Sequence, residues 1–505
     1  MLFLGVDAGT TALKVGLFDE NGFAVATASE EYALITLSVD WVEVDAEIYW
    51  QALTRAVHRI IAAIPARVNE ITALTISSQG ETTIAVDQQG RALYPAMVWL
   101  DNRARVQAER ISARFDPREV YTATGNPEIV PMWTACKILW LKENEPQIFT
   151  RTHKFLFVAD FLRHRLTGRF ITDGALTCSS LLWDARRNDW WDDMLACVGI
   201  SRAQLSEPVA PGAIIGTLTR AAANELGLPS QVAVVAGGMD QSAGAVGAGN
   251  VRPGIISEST GGALTIQATI AKHDLDPNRR IPVNVHAFPG AYFFVAVCPT
   301  GGMTLRWFRD NFAQEEMRAT QTTNHNGYRM MDDLARTIEP GCEGLTMLPH
   351  LMGAFSPEHN VNARGVFAGF TLRHTKAHFA RAILEAGAFM LKRNLDGLRA
   401  LNVTAPEIIC TGGGANSSLW LQIKADVLQK PVATLAEQNT VILGSVIQAA
   451  VACGAHKNLD RACAAMIHRH QRIEPNPATR AAYIEAFVRY GELYDHLYAD
   501  KGNGS

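Results

Sequence analysis

The first thirty residues alternate between apolar runs and short polar breaks. Apolar residues dominate positions 2–6, 12–18 and 23–28, and the breaks between them fall at 8–11 and 19–22. The second break ends in Asn-Gly, the strongest short signal for a hairpin turn between two strands. The pattern predicts an antiparallel meander of three strands at the start of the chain.

Helix-like and strand-like patterns alternate along the rest of the sequence. We predict a helix that Asp45 caps, and the other predicted elements are strands at 71–76 and 292–297 and helices at 303–312 and 377–401. Such alternation is typical of an α/β protein. With 505 residues the chain is long enough for two large domains. Glycines at 247 and 249 interrupt the pattern, so we expect domains at 1–249 and 250–505.

Composition narrows the classes of partner and compartment. The formal net charge of −4 gives no electrostatic reason to expect a nucleic-acid partner or an anionic membrane surface. Eight scattered cysteines without a CxxC pair indicate free thiols of a reducing compartment. No apolar stretch reaches the roughly 20 residues that a membrane helix needs. We therefore expect a cytoplasmic protein with neither nucleic acid nor membrane as partner.

The first polar break carries groups that suit a phosphate ligand. Gly9 allows a tight turn whose backbone N–H groups can converge on an anion, and Thr10 and Thr11 add hydroxyl donors. Asp7 is a candidate to orient a hydrated Mg²⁺ ion, and Lys14 adds positive charge. Ordinary turn chemistry of Asp and Thr explains this loop equally well when it is taken alone.

A similar device recurs halfway along the chain. Residues 254–270 read as strand, loop and strand, and the loop contains Thr260 and Gly261. Two Gly-rich hairpins, one opening each half, could hold a polyphosphate from both sides. Together the two hairpins favour nucleotide binding more strongly than either does alone.

Five ordered segments are similar to the FGGY family of carbohydrate kinases. They are GVDAGTT (5–11), VWLDNRA (98–104), GGMDQSAGAVGAG (237–249), NARGVFAGF (362–370) and GGGANSSLWLQIKADVL (412–428). The resemblance implies two duplicated actin-like (ribonuclease H-like) ATPase domains with an interdomain cleft. It also implies phosphorylation of a sugar or polyol by ATP. Phe370 departs from the smaller aliphatic residue usual in the family, and we interpret it as a change of core packing.

The resemblance assigns the catalytic base to Asp240. Phosphoryl transfer to an alcohol needs aligned reactants, neutralised phosphate charge and an acceptor for the hydroxyl proton. Taken alone, Asp240 is more simply explained as the N-cap of a following helix. The resemblance favours catalysis.

The resemblance also implies a set of acceptor-binding residues. They are Gln79, Gly80, Glu81, Trp99, Asp101, Met132, Asp240 and Gln241. Glycerol kinases have an Arg where this chain has Gly80 and a Tyr where it has Met132. The first departure is expected to leave space in the pocket, and both argue against glycerol as the substrate. Without the resemblance, Trp99 is more simply a core residue.

Glycine-rich turns mark the nucleotide side. The resemblance places Gly413, Gly414 and Ser417 against adenosine, Gly302 near the terminal phosphates, and Thr260 with Gly261 in the second phosphate loop. Taken singly, any one of these turns is more simply explained as a plain strand ending. ATP and Mg²⁺ are the implied cofactors, with Asp7 as the magnesium residue.

Other reaction classes find little support. The histidines at 374, 378, 468 and 470 lack the spacing of a zinc helix, and no GxSxG elbow is present. We interpret the chain as a carbohydrate kinase for a ketose such as xylulose or an open-chain polyol. The alternatives are a glycerol or erythritol-type kinase, a kinase of a hydroxylated signalling molecule, and a non-catalytic sugar-sensing protein. The family is often dimeric, so a homodimer is a further expectation.

Overall fold

Residues 1–320 and 327–498 are described by the structure, which is a computed structural model, and the chain divides into two units. The first unit comprises Met1–Val251, Thr269–Phe293 and Asn439–His468, and the second comprises Arg252–Ala268, Phe294–Gln438 and the chain from Arg469 onward. The sequence led us to expect one crossing near residue 249. In the structure the chain leaves the first unit after Val251 and returns to it twice.

A six-stranded sheet forms the centre of the first unit. Its strands are β1 (Leu2–Ala8), β2 (Ala12–Asp19), β3 (Ala24–Glu31), β4 (Ile71–Ser78), β5 (Ile214–Thr217) and β6 (Ala233–Met239), in the order β5-β6-β4-β1-β2-β3. Strands β1, β2 and β3 pair antiparallel, which confirms the predicted meander. Strands β1, β4 and β6 are parallel, so their carboxyl ends lie at one edge of the sheet.

Two labelled helices of the first unit are α1 (Glu47–Ala63) and α2 (Asp240–Gly247). The predicted cap of α1 was placed one residue too early. Ala46 is the N-cap, and Asp45 Oδ1 instead accepts a hydrogen bond from the Glu47 amide at 3.0 Å. The carboxylate therefore satisfies a free amide of the first turn from outside the helix.

The helix Thr440–Ala452 explains why a late segment belongs to the first unit. It contacts α2 so closely that a Cβ at Gly247 would overlap the Thr440 carbonyl oxygen, and a Cβ at Gly444 would overlap that of Ala243. Its apolar side chains share a core with residues of β1 and β2. Gly247 of the GGMDQSAGAVGAG segment thus serves helix packing.

The second unit has its own sheet. The strands are β7 (Ile256–Thr260), β8 (Leu264–Ile270), β9 (Tyr292–Cys298), β10 (Ile408–Thr411), β11 (Val432–Leu435) and β12 (Arg469–Ile473), with neighbours in the order β9-β8-β7-β10-β11-β12. β7 pairs antiparallel with β8, which confirms the second predicted hairpin, and parallel with β10. Three helices pack with this sheet or with one another: α3 (Gly301–Phe312), α4 (Lys376–Ala400) and α5 (Ser418–Leu428).

The remaining elements are short or peripheral. Further helices are Arg105–Arg114, Pro117–Thr124, Thr134–Asn144, Pro146–Arg151, Val158–Thr167, Gly174–Thr177, Asp192–Val198, Arg220–Leu226, Gln314–Thr320, Gly327–Arg336, Leu459–Met466 and Arg480–Tyr498. Turns of 3₁₀ helix are Pro65–Glu70, Cys178–Ser180, Arg202–Gln204, Cys342–Gly344, Gly413–Asn416 and Pro477–Thr479. Short strands are Ile35–Ser38, Trp41–Val44, Ile84–Val86, Ala96–Met97, Lys154–Leu156, Ile171–Asp173, Trp183–Asp184, Asp189–Trp190, Glu207–Val209, Val283–Val285, Thr346–Leu348 and Val366–Ala368.

The structure bears on three further expectations, which concern the cysteines, membrane-spanning helices and Phe370. All eight cysteines are free thiols, as predicted. Within the described residues, no helix has both the length and the apolar character needed to cross a bilayer. The interpretation of Phe370 as a core residue was wrong. Its side chain is 60% exposed and makes a tilted ring contact with Phe379, so the larger residue lies at the surface.

Candidate active site

The parallel strand ends of the first unit bring three predicted site segments together. Ala8 and Met239, the last residues of β1 and β6, are both paired with Ser78, the last residue of β4. The residues that follow these positions are the first loop, the segment 79–81 and Asp240. Strand pairing alone therefore gathers side chains that lie more than 200 positions apart in the sequence.

Asp240 is the first residue of α2, directly after β6. The N-cap of that helix is Met239, so the alternative interpretation of Asp240 as the cap was wrong. Asp240 Oδ1 accepts a hydrogen bond from the Gln241 amide at 2.6 Å. Burial, followed by repulsion from Asp7 and Glu81, raises the pKa of Asp240 to about 8. A carboxyl group with a pKa near the working pH suits a general base.

Asp7 lies on β1, opposite Lys14 of β2 and Ser77 of β4. Burial raises the pKa of Asp7 to about 6, and the charge of Lys14 opposes that rise. Because Asp7 also raises the pKa of Asp240, the two carboxyl groups belong to one electrostatic cluster. Lys14 itself is exposed beside the loop.

Glu81 completes the acidic cluster in an unusual backbone conformation. Its φ is +54°, a left-handed value that costs a non-glycine residue energy and is often found at functional sites. Burial raises the pKa of Glu81 to about 7, whereas a hydrogen bond with Ser179 and the charge of Lys137 lower it. Such strain persists only where neighbouring groups hold the backbone.

Lys137 is the principal holding group, and sequence reasoning missed its role. Its Nζ donates to the carbonyl oxygens of Glu81 at 3.1 Å, Met97 at 3.3 Å and Val98 at 2.8 Å. The side chain is 0% exposed, and burial lowers its pKa to about 7. A lysine within the apolar run CKILWL was the available signal, because a buried amine must find several acceptors. Lys137 ties the Glu81 segment to the Trp99 segment.

Trp99 connects the acceptor-binding segment to the first loop. Its indole Nε1 donates to Thr10 Oγ1 at 2.8 Å, and the ring is partly buried against the core of the first unit. The Thr10 hydroxyl accepts this bond, so its own proton is available to another acceptor. Thr11 is exposed at the same turn, where the Gly9 amide donates to the Ala12 carbonyl.

Asp101 is more enclosed than the resemblance implied. Its carboxylate is 0% exposed and accepts hydrogen bonds from the Val42 amide at 2.7 Å and from the Arg103 backbone and guanidinium. Arg103 also pairs with Glu43. These contacts favour a role for Asp101 in holding the Trp99 segment in place.

Gln79 keeps an acceptor available. Its Nε2 donates to the Tyr49 hydroxyl at 2.9 Å and to the Gly9 carbonyl at 3.3 Å. Its buried Oε1 has no hydrogen-bond partner in the part of the chain that the structure describes. A buried acceptor of this kind is costly without a ligand, and a sugar hydroxyl would satisfy it. Met132 and Gln241 are partly buried.

The expected space at Gly80 is filled by other side chains. A Cβ at this position would lie 2.7 Å from Ser179 Oγ and 2.8 Å from Met239 Sδ. The expectation that Gly80 leaves room for the substrate was therefore wrong. Ser179, which also bonds the Glu81 carboxyl, occupies the volume beside residue 80 and is a second residue that sequence reasoning missed.

We predict that Gly80→Ala raises the KM for the accepted sugar about fivefold, because the added methyl displaces Ser179 and Met239. Ser179→Gly alone should also raise KM, since Glu81 loses a hydrogen bond. The double variant should be less impaired than the product of the two effects, because the clash with Ser179 is removed while the contact with Met239 Sδ remains. Steady-state kinetics of the three variants measures this coupling. Strictly multiplicative losses would contradict the assigned contact.

The second unit brings the predicted nucleotide-binding turns together. The Gly302 amide donates to the Gly261 carbonyl at 3.0 Å, and a Cβ at Gly302 would overlap that oxygen. A Cβ at Gly414 would lie 2.7 Å from the Thr260 Cβ. Gly413 begins the 3₁₀ turn Gly413–Asn416 beside them. The glycines thus permit close approach of three loops around Thr260.

Ser417 is the N-cap of α5, where its Oγ accepts from the Trp420 amide at 3.0 Å. This cap follows the glycine-rich turn directly and fixes the direction of the helix. The Ser417 side chain also forms a hydrogen bond with the Asp332 carboxyl, so these two contacts hold its hydroxyl beside the glycine-rich turn.

The donor set in the first unit fits a magnesium ion that arrives with phosphate. Among residues 1–320 and 327–498, no group of three His, Cys, Asp or Glu side chains could hold a metal ion. Mg²⁺ commonly keeps several waters and uses one or two carboxylates with substrate phosphates. The partly buried carboxyl of Asp7 matches that requirement.

Comparisons with known proteins agree with this arrangement. Models of the FGGY family of carbohydrate kinases match the chain, the N-terminal domain over residues 2–247 and the C-terminal domain over residues 268–453. Xylulose kinase from Escherichia coli is 31% identical over 84% of this chain and 84% of its own length. Gluconokinase from Bacillus subtilis is 28% identical over 98% of this chain and 96% of its own length.

A solved structure extends the similarity to three dimensions. Ligand-bound xylulose kinase from Lactobacillus acidophilus has a TM-score of 0.90 and 26% identity, with 100% of both chains covered. The two family models, the full-length relatives and the shared architecture all lead to one assignment. The chain belongs to the FGGY family of carbohydrate kinases and is a phosphotransferase.

Proposed function

We propose that this enzyme transfers the γ-phosphoryl group of ATP to a hydroxyl of a small neutral sugar or polyol, with Asp240 as general base. The observation that carries the proposal is the acidic cluster at the strand ends, in which burial, followed by repulsion from Asp7 and Glu81, raises the pKa of Asp240 to about 8. A base with this pKa ionises close to neutral pH and can accept a hydroxyl proton.

The residues of the first unit take distinct parts in the reaction. Asp240 accepts the proton of the sugar hydroxyl while that oxygen bonds to the γ-phosphorus and ADP leaves. Gln79 Oε1 and Glu81 are the acceptors for other sugar hydroxyls, and Trp99 offers an aromatic face. Asp7 would hold Mg²⁺ through water, and the ion would neutralise phosphate charge when bound.

The second unit supplies the nucleotide-binding turns in this proposal. Thr260, Gly261 and Gly302 would receive the phosphates, and Gly413, Gly414 and Ser417 the adenosine. Their support is the close approach of these loops around Thr260. Backbone amides at glycine-rich turns are suited to anions because no side chain blocks the approach.

The charges in the acceptor segment favour a neutral substrate over a sugar acid. Asp7, Glu81 and Asp240 already repel one another. Lys137, the buried amine beside Glu81, donates to three backbone carbonyls. A gluconate carboxylate would add negative charge beside this cluster. A ketose such as xylulose or an open-chain polyol therefore fits better, although two relatives matched over nearly their whole length are gluconokinases.

The first test is ADP release with Mg²⁺ and ATP across pentuloses, hexuloses, aldoses, tetritols, pentitols, glycerol and gluconate, each against a blank without sugar. We expect strong stimulation by one neutral ketose or polyol and little by gluconate or glycerol. Exclusive stimulation by gluconate would contradict the neutral-substrate proposal. A flat panel with intact ATP binding would instead favour an acceptor outside the panel, such as a hydroxylated signalling molecule, or a non-catalytic sensing role.

A further inference from the structure

A buried ion pair lies beneath the second Gly-rich hairpin. Glu258 of β7 and Lys424 of α5 are each 0% exposed, and Lys424 Nζ donates to Glu258 Oε1 at 2.5 Å. Lys424 Nζ also donates to Thr260 Oγ1 at 2.9 Å, and Thr260 Oγ1 donates to Glu258 Oε2 at 2.8 Å. The three side chains form a closed triangle of hydrogen bonds in the second unit.

The triangle takes up the hydroxyl proton of Thr260. Because a hydroxyl has one proton and this proton goes to Glu258, the Thr260 side chain has no donor left for a phosphate. The backbone of the hairpin turn is then the part that can receive an anion. The triangle therefore positions the backbone of the hairpin turn. The Thr260 hydroxyl stabilises this arrangement and is not a donor to phosphate.

The pair also reaches the neighbouring loop. The Glu258 carbonyl oxygen accepts from Thr411 Oγ1 at 3.0 Å, at the end of β10 where the glycine-rich turn begins. Lys424 Nζ lies 5.0 Å from the centre of the Trp420 ring, on the first turn of the same helix. The ion pair thus joins β7 to α5, and the backbone of the same Glu258 joins β7 to the end of β10, next to both proposed nucleotide-binding turns.

We propose that Glu258 and Lys424 are positioning residues for the proposed ATP phosphate loop, residues 260–262. They fix Thr260, and as an ion pair they place no net charge beneath the loop. The inference rests on the proposed function, in which residues 260–262 receive phosphate. A purely structural ion pair would contribute stability without affecting the affinity for nucleotide in a charge-dependent way. A pair that cancels charge beneath the loop predicts a charge-dependent change in nucleotide affinity, because removing one partner leaves the charge of the other unbalanced.

The two single substitutions should change nucleotide affinity in opposite directions. Lys424→Met leaves the Glu258 carboxylate beneath the loop and should weaken ADP and ATP binding about tenfold, because partly buried charges several ångströms apart interact strongly. Glu258→Gln leaves the Lys424 ammonium and should strengthen binding by about the same factor. The double variant carries no net charge and should bind within about threefold of the unmodified enzyme.

The experiment is isothermal titration calorimetry of ADP and Mg²⁺ with the full-length enzyme and the three variants, together with the KM values for ATP and for the accepted sugar. Lys392 and Asp396 supply the matched control, because they form a partly exposed ion pair of 2.9 Å in the same unit. Lys392→Met and Asp396→Asn should leave nucleotide affinity unchanged. The KM for the sugar should change less than twofold in every variant.

The possible outcomes test the inference and the proposed function separately. Equal weakening by both single variants, or no change in either, would overturn the inference and leave the proposed function intact. Failure of the unmodified enzyme to bind ADP would overturn the proposed function and the inference with it. If Lys424→Met does not fold, stronger binding by Glu258→Gln with normal affinity in the double variant supports the inference, and weaker binding by Glu258→Gln overturns it.

Discussion

Asp240→Asn is expected to reduce sugar phosphorylation at least ~100-fold while ADP affinity stays within about twofold. The amide keeps the size of the carboxyl group but cannot accept the hydroxyl proton. Because the nucleotide-binding turns belong to the second unit, their affinity for ADP should not depend on this side chain. Coupled ADP release and calorimetry measure the two quantities separately.

The same substitution should stabilise the protein at alkaline pH. Burial and the neighbouring carboxylates raise the pKa of Asp240 to about 8 in the folded enzyme, against 3.8 for an ordinary Asp side chain. Between these values the unfolded chain has released the proton and the native state retains it, so stability falls as the pH rises. Asparagine removes this penalty. We expect the Tm of Asp240→Asn to exceed that of the unmodified enzyme by ~3 °C at pH 8, and by less at pH 5.

The pH profile of the unmodified enzyme gives a second reading of this cluster. Because the base must be ionised, kcat/KM should rise with pH until about 8, with inflections that belong jointly to Asp240, Glu81 and Asp7. Asp193→Asn, at an exposed position of the first unit, is the control and should change neither rate nor Tm. Near-full turnover by Asp240→Asn would exclude this residue as the base.

Lys137→Met is expected to destabilise the protein by ~3 kcal/mol and to lower its Tm by ~5 °C. Methionine fits the apolar surroundings but removes one charged donor from each of three buried carbonyl oxygens, which keep only their weaker neutral donors. Since one of them belongs to Glu81, the left-handed backbone at that residue should relax. We therefore also expect the KM for the sugar to rise about tenfold, with nucleotide affinity unchanged.

Lys142→Met is the control that tests whether the lowered Tm and the raised KM are specific to position 137. Lys142 is on the same helix, Thr134–Asn144, and its side chain is exposed. Thermal unfolding and steady-state kinetics of the two variants should differ clearly, with Lys142→Met close to the unmodified enzyme. A Lys137→Met enzyme with lowered Tm and an unchanged KM for the sugar would show that Lys137 supports the fold without positioning Glu81.

Local sequence patterns were enough to place the main chain of the site. The meander, the hairpin at residues 254–270 and the strand before Asp240 follow from side-chain alternation and turn residues, which depend on near neighbours. The family resemblance added the segments around Glu81, Trp99 and Gly413. The family is confirmed by the matching family models, whereas the roles of these segments stay predictions.

Contacts between distant residues were not predictable in this way. Nothing near Gly80 in the sequence indicates that Ser179 and Met239 fill the space beside it. Asp101 is enclosed because its carboxylate accepts hydrogen bonds from both the Val42 amide and the Arg103 guanidinium. Such contacts depend on how whole elements pack, and local periodicity carries no information about them.

The sequence by itself determined the α/β class, the two Gly-rich hairpins and the family. Tertiary structure alone decided that Asp7, Glu81 and Asp240 share one electrostatic cluster, because parallel pairing of β1, β4 and β6 brings their carboxyl ends together. It also decided the contacts of Lys137 and the pairing of Glu258 with Lys424. A buried charge must find its partners wherever the folded chain places them, and that choice is made by packing across the whole unit.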